Sequence, residues 1–125
     1  MKNFEELDAF QRAVELMVQI YRTTSNFPTE ERYGLTAQIR RAAVSVVSNI
    51  AEGQGRLTLG EWRNSLGHAR GSLFEIQAQA IAAEKLGFID GSGYRQLRSS
   101  IKRAAMPLAG LIAYVRRREK STTDN

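Results

Sequence analysis

Cysteine is absent from the 125 residues, which removes disulfides, thiolate zinc sites and cysteine nucleophiles and fits a reducing compartment. No stretch approaches the roughly eighteen unbroken apolar residues of a membrane span. The opening Met-Lys-Asn-Phe-Glu-Glu carries acids where a secretory leader has a basic start and a greasy core. The chain is therefore expected in the cytoplasm, with no membrane partner. Histidine occurs once, at position 68. No serine nucleophile with a base and an orienting acid can be assembled around His68, which is two residues past Leu66 and off the apolar seam there. A di-iron bundle needs paired Glu-x-x-His, whereas Glu61 and Glu75 each stand seven residues from His68. Gly53-Gln54-Gly55-Arg56 lacks the Lys-Ser/Thr of a phosphate-cradling P-loop and no strand precedes it, so a helix cap explains it. These absences point to a protein with no catalytic residues, metal or cofactor, that is, not an enzyme.

What is present is helical periodicity. Leu7, Phe10, Val14, Met17 and Tyr21 step by three and four, until Phe27-Pro28 forces extended backbone. Thr29 is a candidate cap for a second helix with Glu30 and Glu31 in its first turn. Leu35, Ile39, Ala42, Val46 and Ile50 form that helix's stripe, and Gly53, tolerant of left-handed backbone, closes it. Thr58 or Gly60 opens a third helix whose seam runs Trp62, Leu66, Ala69, Leu73, Ile76, Ala80 and Ala83 to Gly87. Asp90 or Ser92 then caps a fourth, with Leu97, Ile101, Ala104, Leu108, Leu111 and Val115 inward and a kink expected at Pro107.

The spacing predicts an all-α fold, an antiparallel up-down-up-down four-helix bundle with helices roughly over 4–24, 30–53, 59–87 and 92–118. One domain, 1–119, is expected, with 120–125 a flexible tail that has nothing to bury.

Two patterns go beyond a plain bundle. Arg41, Ser45, Ser48 and Glu52 make a stripe of small polar and charged groups, and Gly60, Gly67 and Gly71 lie on one side of the third helix. Close approach by a neighbouring helix would offset the cost of those glycines, about 1 kcal/mol each relative to alanine; tolerated drift is the alternative. Asn49 follows Ala42 and Val46 down the apolar face, and with Glu52 it is assigned to packing specificity.

Charge is the second pattern. Eighteen Lys and Arg against thirteen Asp and Glu give +5, and residues 88–125, with eight basic and three acidic groups, hold all of the excess. Arg95, Arg98 and Lys102 form one edge with Arg103 beside it, while Arg116, Arg117 and Arg118 crowd the far end. Arg40 and Arg41 start the second helix, and Arg56 and Arg63 flank the next connection. Such groups suit sequence-independent, salt-sensitive contact with RNA or DNA phosphates. A solvated charged face, with some cations complementing a helix dipole, is the other reading.

QIRRAAVSVVSNIAEGQGR, preceded by FPTEERYGL and followed by LGHARGSLFEIQAQ and LGF, closely resembles the four-helix-bundle family of 23S ribosomal RNA intervening-sequence proteins. That family is related to the accessory variability determinants of diversity-generating retroelements. The resemblance runs from about Leu7 into the last helix. Val47 departs from it, standing where many relatives have proline. Membership implies a homopentameric, barrel-like ring and, from the retroelement relatives, binding of nucleic acid and of a reverse transcriptase without catalysis. On that reading the polar stripe, with Ser45, Ser48 and Glu52, and the glycine face, with Gly67 and Gly71, are subunit contacts, beside the packing role that Asn49 has from its own position. The expected function is therefore an oligomeric, non-enzymatic scaffold that binds nucleic acid. An interaction module for an acidic protein partner, with no nucleic-acid role, is the alternative.

Overall fold

The four apolar stripes close on one another in a computed structural model that describes residues 3–124. Its α-helices are α1, Asp8–Thr24, α2, Leu35–Gln54, α3, Leu59–Lys85, and α4, Gly91–Asp124, with short 3-10 turns at Phe4–Glu6 and Thr29–Glu31. No strand occurs among the described residues.

Local chemistry accounts for the element ends. Thr58 opens α3 by accepting the Glu61 backbone N–H on its hydroxyl at 3.1 Å, and the same hydroxyl donates to the Glu61 carboxylate at 3.0 Å. This Thr-x-x-Glu pairing satisfies an otherwise orphaned donor. At the far end of α3, Gly87 adopts φ 78° while Phe88 N–H donates to Ala83 O and Gly87 N–H to Glu84 O. That is the hydrogen-bond pattern of a left-handed glycine closure. Asp90 starts α4, taking the Gly93 N–H on Oδ1 at 2.7 Å.

Adjacent helices run antiparallel, as inverse pairing of residue numbers requires. Arg40 near the start of α2 reaches Thr24 at the end of α1. Ser45 meets Ser72 in mid-helix, while Gly53 and Trp62 abut where α2 gives way to α3. Trp62 and Arg63 at the start of α3 contact Tyr114 and Glu119 late in α4. Each helix packs on two neighbours, α1 and α3 both lying between α2 and α4, so the section is a square. Leu16, Ile20, Ile39, Ile50, Leu66, Ile76, Leu97 and Leu108 fill its centre, fully buried. Burying each such side chain contributes about 1.5–3 kcal/mol.

Several expectations need correction. The second helix begins at Leu35 rather than near 30, because residues 29–31 form a tighter turn. Thr29 makes no side-chain cap; the Glu31 carboxylate instead accepts the Leu35 N–H at 3.1 Å. Gly53 is not left-handed: it lies inside α2, buried, and Gly55 at φ −85° ends the helix. The fourth helix passes through Pro107 and continues to Asp124. Residues 120–124, expected as a flexible tail, carry helical backbone with no Gly or Pro to break it, and the Thr122 hydroxyl donates to the Arg118 carbonyl at 2.9 Å; Asn125 lies outside the described residues. Gly67 and Gly71 face open space, with nothing within 4 Å of where a Cβ would stand, so no neighbouring helix of the same chain approaches them.

Candidate nucleic-acid interface

The outer face of α4 is the strongest concentration of unneutralised charge. Arg95, Lys102, Ala109 and Arg116 recur every seven residues and all are exposed. At 1.5 Å per residue this line is about 31 Å long. Arg98 adjoins it, also exposed. The ion pairs among the described residues join Arg12 to Asp8 and Glu15, Arg56 to Glu52, and Arg63 to Glu119. None engages Arg95, Arg98, Lys102, Arg103, Arg116 or Arg117. These six cations therefore keep their full attraction for an anion in solution.

Where α4 leans on α1, Arg95, Gln96, Ser99, Ser100 and Arg103 join Gln19 around a cleft of about 520 Å³. Arg103 Nη2 donates to Ser100 Oγ at 3.0 Å, and that hydroxyl donates to the Gln96 carbonyl at 3.2 Å. No carboxylate lines this cleft. Guanidinium, amide and hydroxyl groups that converge without a competing acid suit phosphate oxygens.

On the opposite flank, α3 and α4 border a second cleft of about 540 Å³. Leu73, Phe74, Ala105, Leu108, Ala109 and Ile112 make it mainly apolar, and Arg70, Arg116 and Arg117 stand at its rim. Phe74 is 60% exposed, with the Arg70 guanidinium 5.7 Å from its ring centre.

The remaining nominated residues divide by what holds them. Arg40 is withdrawn from the interface: Nε donates to Thr24 Oγ1 at 2.8 Å and Nη2 to Tyr21 O at 3.2 Å, with the guanidinium 4.6 Å from the Tyr21 ring centre. It pins α2 to α1. Arg56 and Arg63 are ion-paired at 3.4 and 2.8 Å, though exposed pairs of this kind are worth at most about 1 kcal/mol and can open. Arg118 lies against Tyr114, and Arg41 is exposed on α2. Of the polar stripe, Ser45 is the member that meets another helix, accepting from Ser72 Oγ at 2.9 Å and from Asn49 Nδ2 at 3.1 Å. Asn49 also donates to the Ser45 carbonyl, so it satisfies itself within α2 while only half-buried. Ser48 and Glu52 are exposed. His68 is exposed too, and no group of three potential metal ligands occurs among the described residues.

Arg70 is the functional candidate that sequence reading missed. Its signal was there: an arginine four residues before a phenylalanine that does not belong to the apolar seam.

No helix among the described residues is long and apolar enough to cross a membrane. A crystal structure at 1.70 Å, of a protein with unknown function from the S23 ribosomal protein family of Bacteroides thetaiotaomicron VPI-5482, is similar to this chain. The TM-score is 0.74 at 19% identity, covering 83% of this chain and 97% of the other, and the likeness establishes a shared fold. No curated protein sequence matches. A family model described as 23S rRNA-intervening sequence protein matches residues 5–110.

Proposed function

The chain belongs to the 23S rRNA-intervening sequence protein family, and from that premise we propose that it is a non-enzymatic nucleic-acid-binding bundle that holds RNA or DNA by the phosphate backbone. The observation that carries this is the outer face of α4, where Arg95, Arg98, Lys102 and Arg103 have no carboxylate partner among the described residues. Long, mobile cations of this kind displace counterions from phosphates without reading bases. Four such contacts give a dependence of log affinity on log salt of about −3, weak for a single chain. Repetition corrects this. A closed ring of five copies, which the resemblance implies, turns a net +5 per chain into about +25 and lets several faces engage one polyanion. Gly67 and Gly71, which no other helix of the chain approaches, and Ser48 and Glu52, exposed on α2, are the positions for subunit contacts in that ring. Scaffolding a reverse transcriptase on such a ring, within the cytoplasm, is the narrower form of the same reading.

The test is light scattering coupled to gel filtration, on the protein alone and with a mixed-sequence oligonucleotide at low and high salt. A mass near five chains with the oligonucleotide co-eluting only at low salt is the expected result. A monomer that ignores the oligonucleotide at every salt concentration refutes the reading. Binding confined to an acidic protein, with none to oligonucleotides, would favour the pure interaction module instead.

A further inference from the structure

The α3–α4 cleft has a shape and chemistry that phosphate binding does not use. On the α4 side it extends from Ile101 to Arg117, about 24 Å of helix. Along that length Ala105, Ala109 and Ala113 repeat every four residues, a track of single methyl groups that lets another helix backbone come close. Leu108 and Ile112 form the floor, and Phe74 stands up from α3 as the wall. A large aromatic left 60% exposed beside such a floor is an unfilled half of a packing arrangement.

Charge selects the occupant. Arg70, Arg116 and Arg117 rim the cleft with no ion pair among the described residues, and no carboxylate lines it. A second copy presenting the same face would set three arginines against three. We propose that this cleft is the docking site for an acidic amphipathic helix of a partner protein, about sixteen residues long. Such a helix lays apolar side chains on the alanine track at three- and four-residue spacing and directs carboxylates to Arg70, Arg116 and Arg117. The cleft takes in Ala109 and Arg116 at the far end of the outer line but none of Arg95, Arg98, Lys102 and Arg103, so it is tested apart from that phosphate-binding cluster.

The probe is a fluorescein-labelled sixteen-residue peptide with leucines at helical spacing and glutamates on the flanking positions. Its anisotropy is titrated with the full chain at about 0.15 M salt, where screening confines electrostatics to close contacts. Saturable binding is expected, weakened at least tenfold by Ala109→Trp, which fills the track, and by Phe74→Ala, which removes the wall. A peptide with lysines for glutamates should bind at least tenfold more weakly. Both substituted side chains are exposed, and an unchanged circular dichroism melt establishes that each variant folds. No saturable binding, or equal binding by a scrambled peptide of the same composition, overturns the proposal. Loss of oligonucleotide affinity in Ala109→Trp would assign the cleft to nucleic acid, and a drop in assembly mass in that variant would assign it to a second copy; either also overturns it.

Discussion

Gly53→Ala is the sharpest test of how this bundle is packed, because the same substitution elsewhere in the chain has the opposite sign. A Cβ at Gly53 would stand 2.7 Å from Trp62 Cδ1, 3.2 Å from Trp62 Nε1 and 3.3 Å from Ser65 Cβ. The first distance is far inside contact, so the indole must move. It has little room to do so, being 6% exposed and packed edge-on against Tyr114 at 6.2 Å between ring centres. Its buried N–H has no partner among the described residues, so shape alone sets its position. Alanine in a helix interior gains about 1 kcal/mol over glycine, and overpacking a buried ring costs about 1–3 kcal/mol. The net expectation is a loss of about 1 kcal/mol from these opposing terms. Gly67→Ala and Gly71→Ala meet nothing within the chain itself, so in the dissociated chain each should gain close to the full helical increment of about 1 kcal/mol. Urea denaturation measures all three: the midpoint should fall for Gly53→Ala and rise for the other two, with unchanged slope. Several protein concentrations are needed, because assembly is linked to apparent stability. A higher midpoint for Gly53→Ala than for the parent chain would refute the close Gly53–Trp62 packing.

Three further outcomes are expected. Arg40→Ala should lose about 1–2 kcal/mol of stability through its two hydrogen bonds and the Tyr21 ring contact, yet leave oligonucleotide affinity unchanged in an anisotropy titration. Thr58→Ala should lower the thermal midpoint by removing the α3 cap, worth about 1 kcal/mol; Thr58→Ser should restore it. The pair Arg98→Glu and Lys102→Glu should flatten the salt dependence of oligonucleotide binding by about 2 in log–log slope. These exposed changes should leave stability within about 0.5 kcal/mol.

The sequence made the four helices legible because burial at three- and four-residue spacing is a property of one chain segment: Leu66, Leu73, Ile76 and Ala80 announce an inward face wherever the partner helix lies. The stops and starts at Thr58, Gly87 and Asp90 were legible for the same reason, since each is a hydrogen-bond pattern spanning a few neighbouring residues. What was not legible depends on how one helix is set against another. Gly53, Gly67 and Gly71 look alike in sequence, and only the α2–α3 register decides that Trp62 meets the first while the other two meet solvent. Arg40 and Arg41 are likewise indistinguishable until the end of α1 turns out to lie beside one of them. Asn49, read as a polar group on the apolar face that fixes packing, is half-buried and finds its partner in Ser45 of its own helix. Arg70, isolated among Gly, Ala and Ser, gained meaning only when α4 brought Arg116 and Arg117 alongside it.

The two faces assigned to α4 share one rigid helix, and whether they interfere is a question of distance against screening. On the outer line, Lys102, which belongs to the phosphate-binding cluster, precedes Arg116, which belongs to the cleft, by fourteen residues, about 21 Å of helix. At 0.15 M salt the screening length is about 8 Å, so neutralising Arg116 and Arg117 with an acidic peptide leaves the potential at Arg95, Arg98 and Lys102 nearly unchanged. At 0.01 M it is about 30 Å, longer than the separation, and each bound anion then weakens the other's site. A competition titration should accordingly find the peptide without effect on oligonucleotide binding near physiological salt and inhibitory at low salt. Inhibition of equal strength at both would mean that the two ligands meet the same residues, and the division of α4 into a phosphate face and a helix-docking face would be wrong.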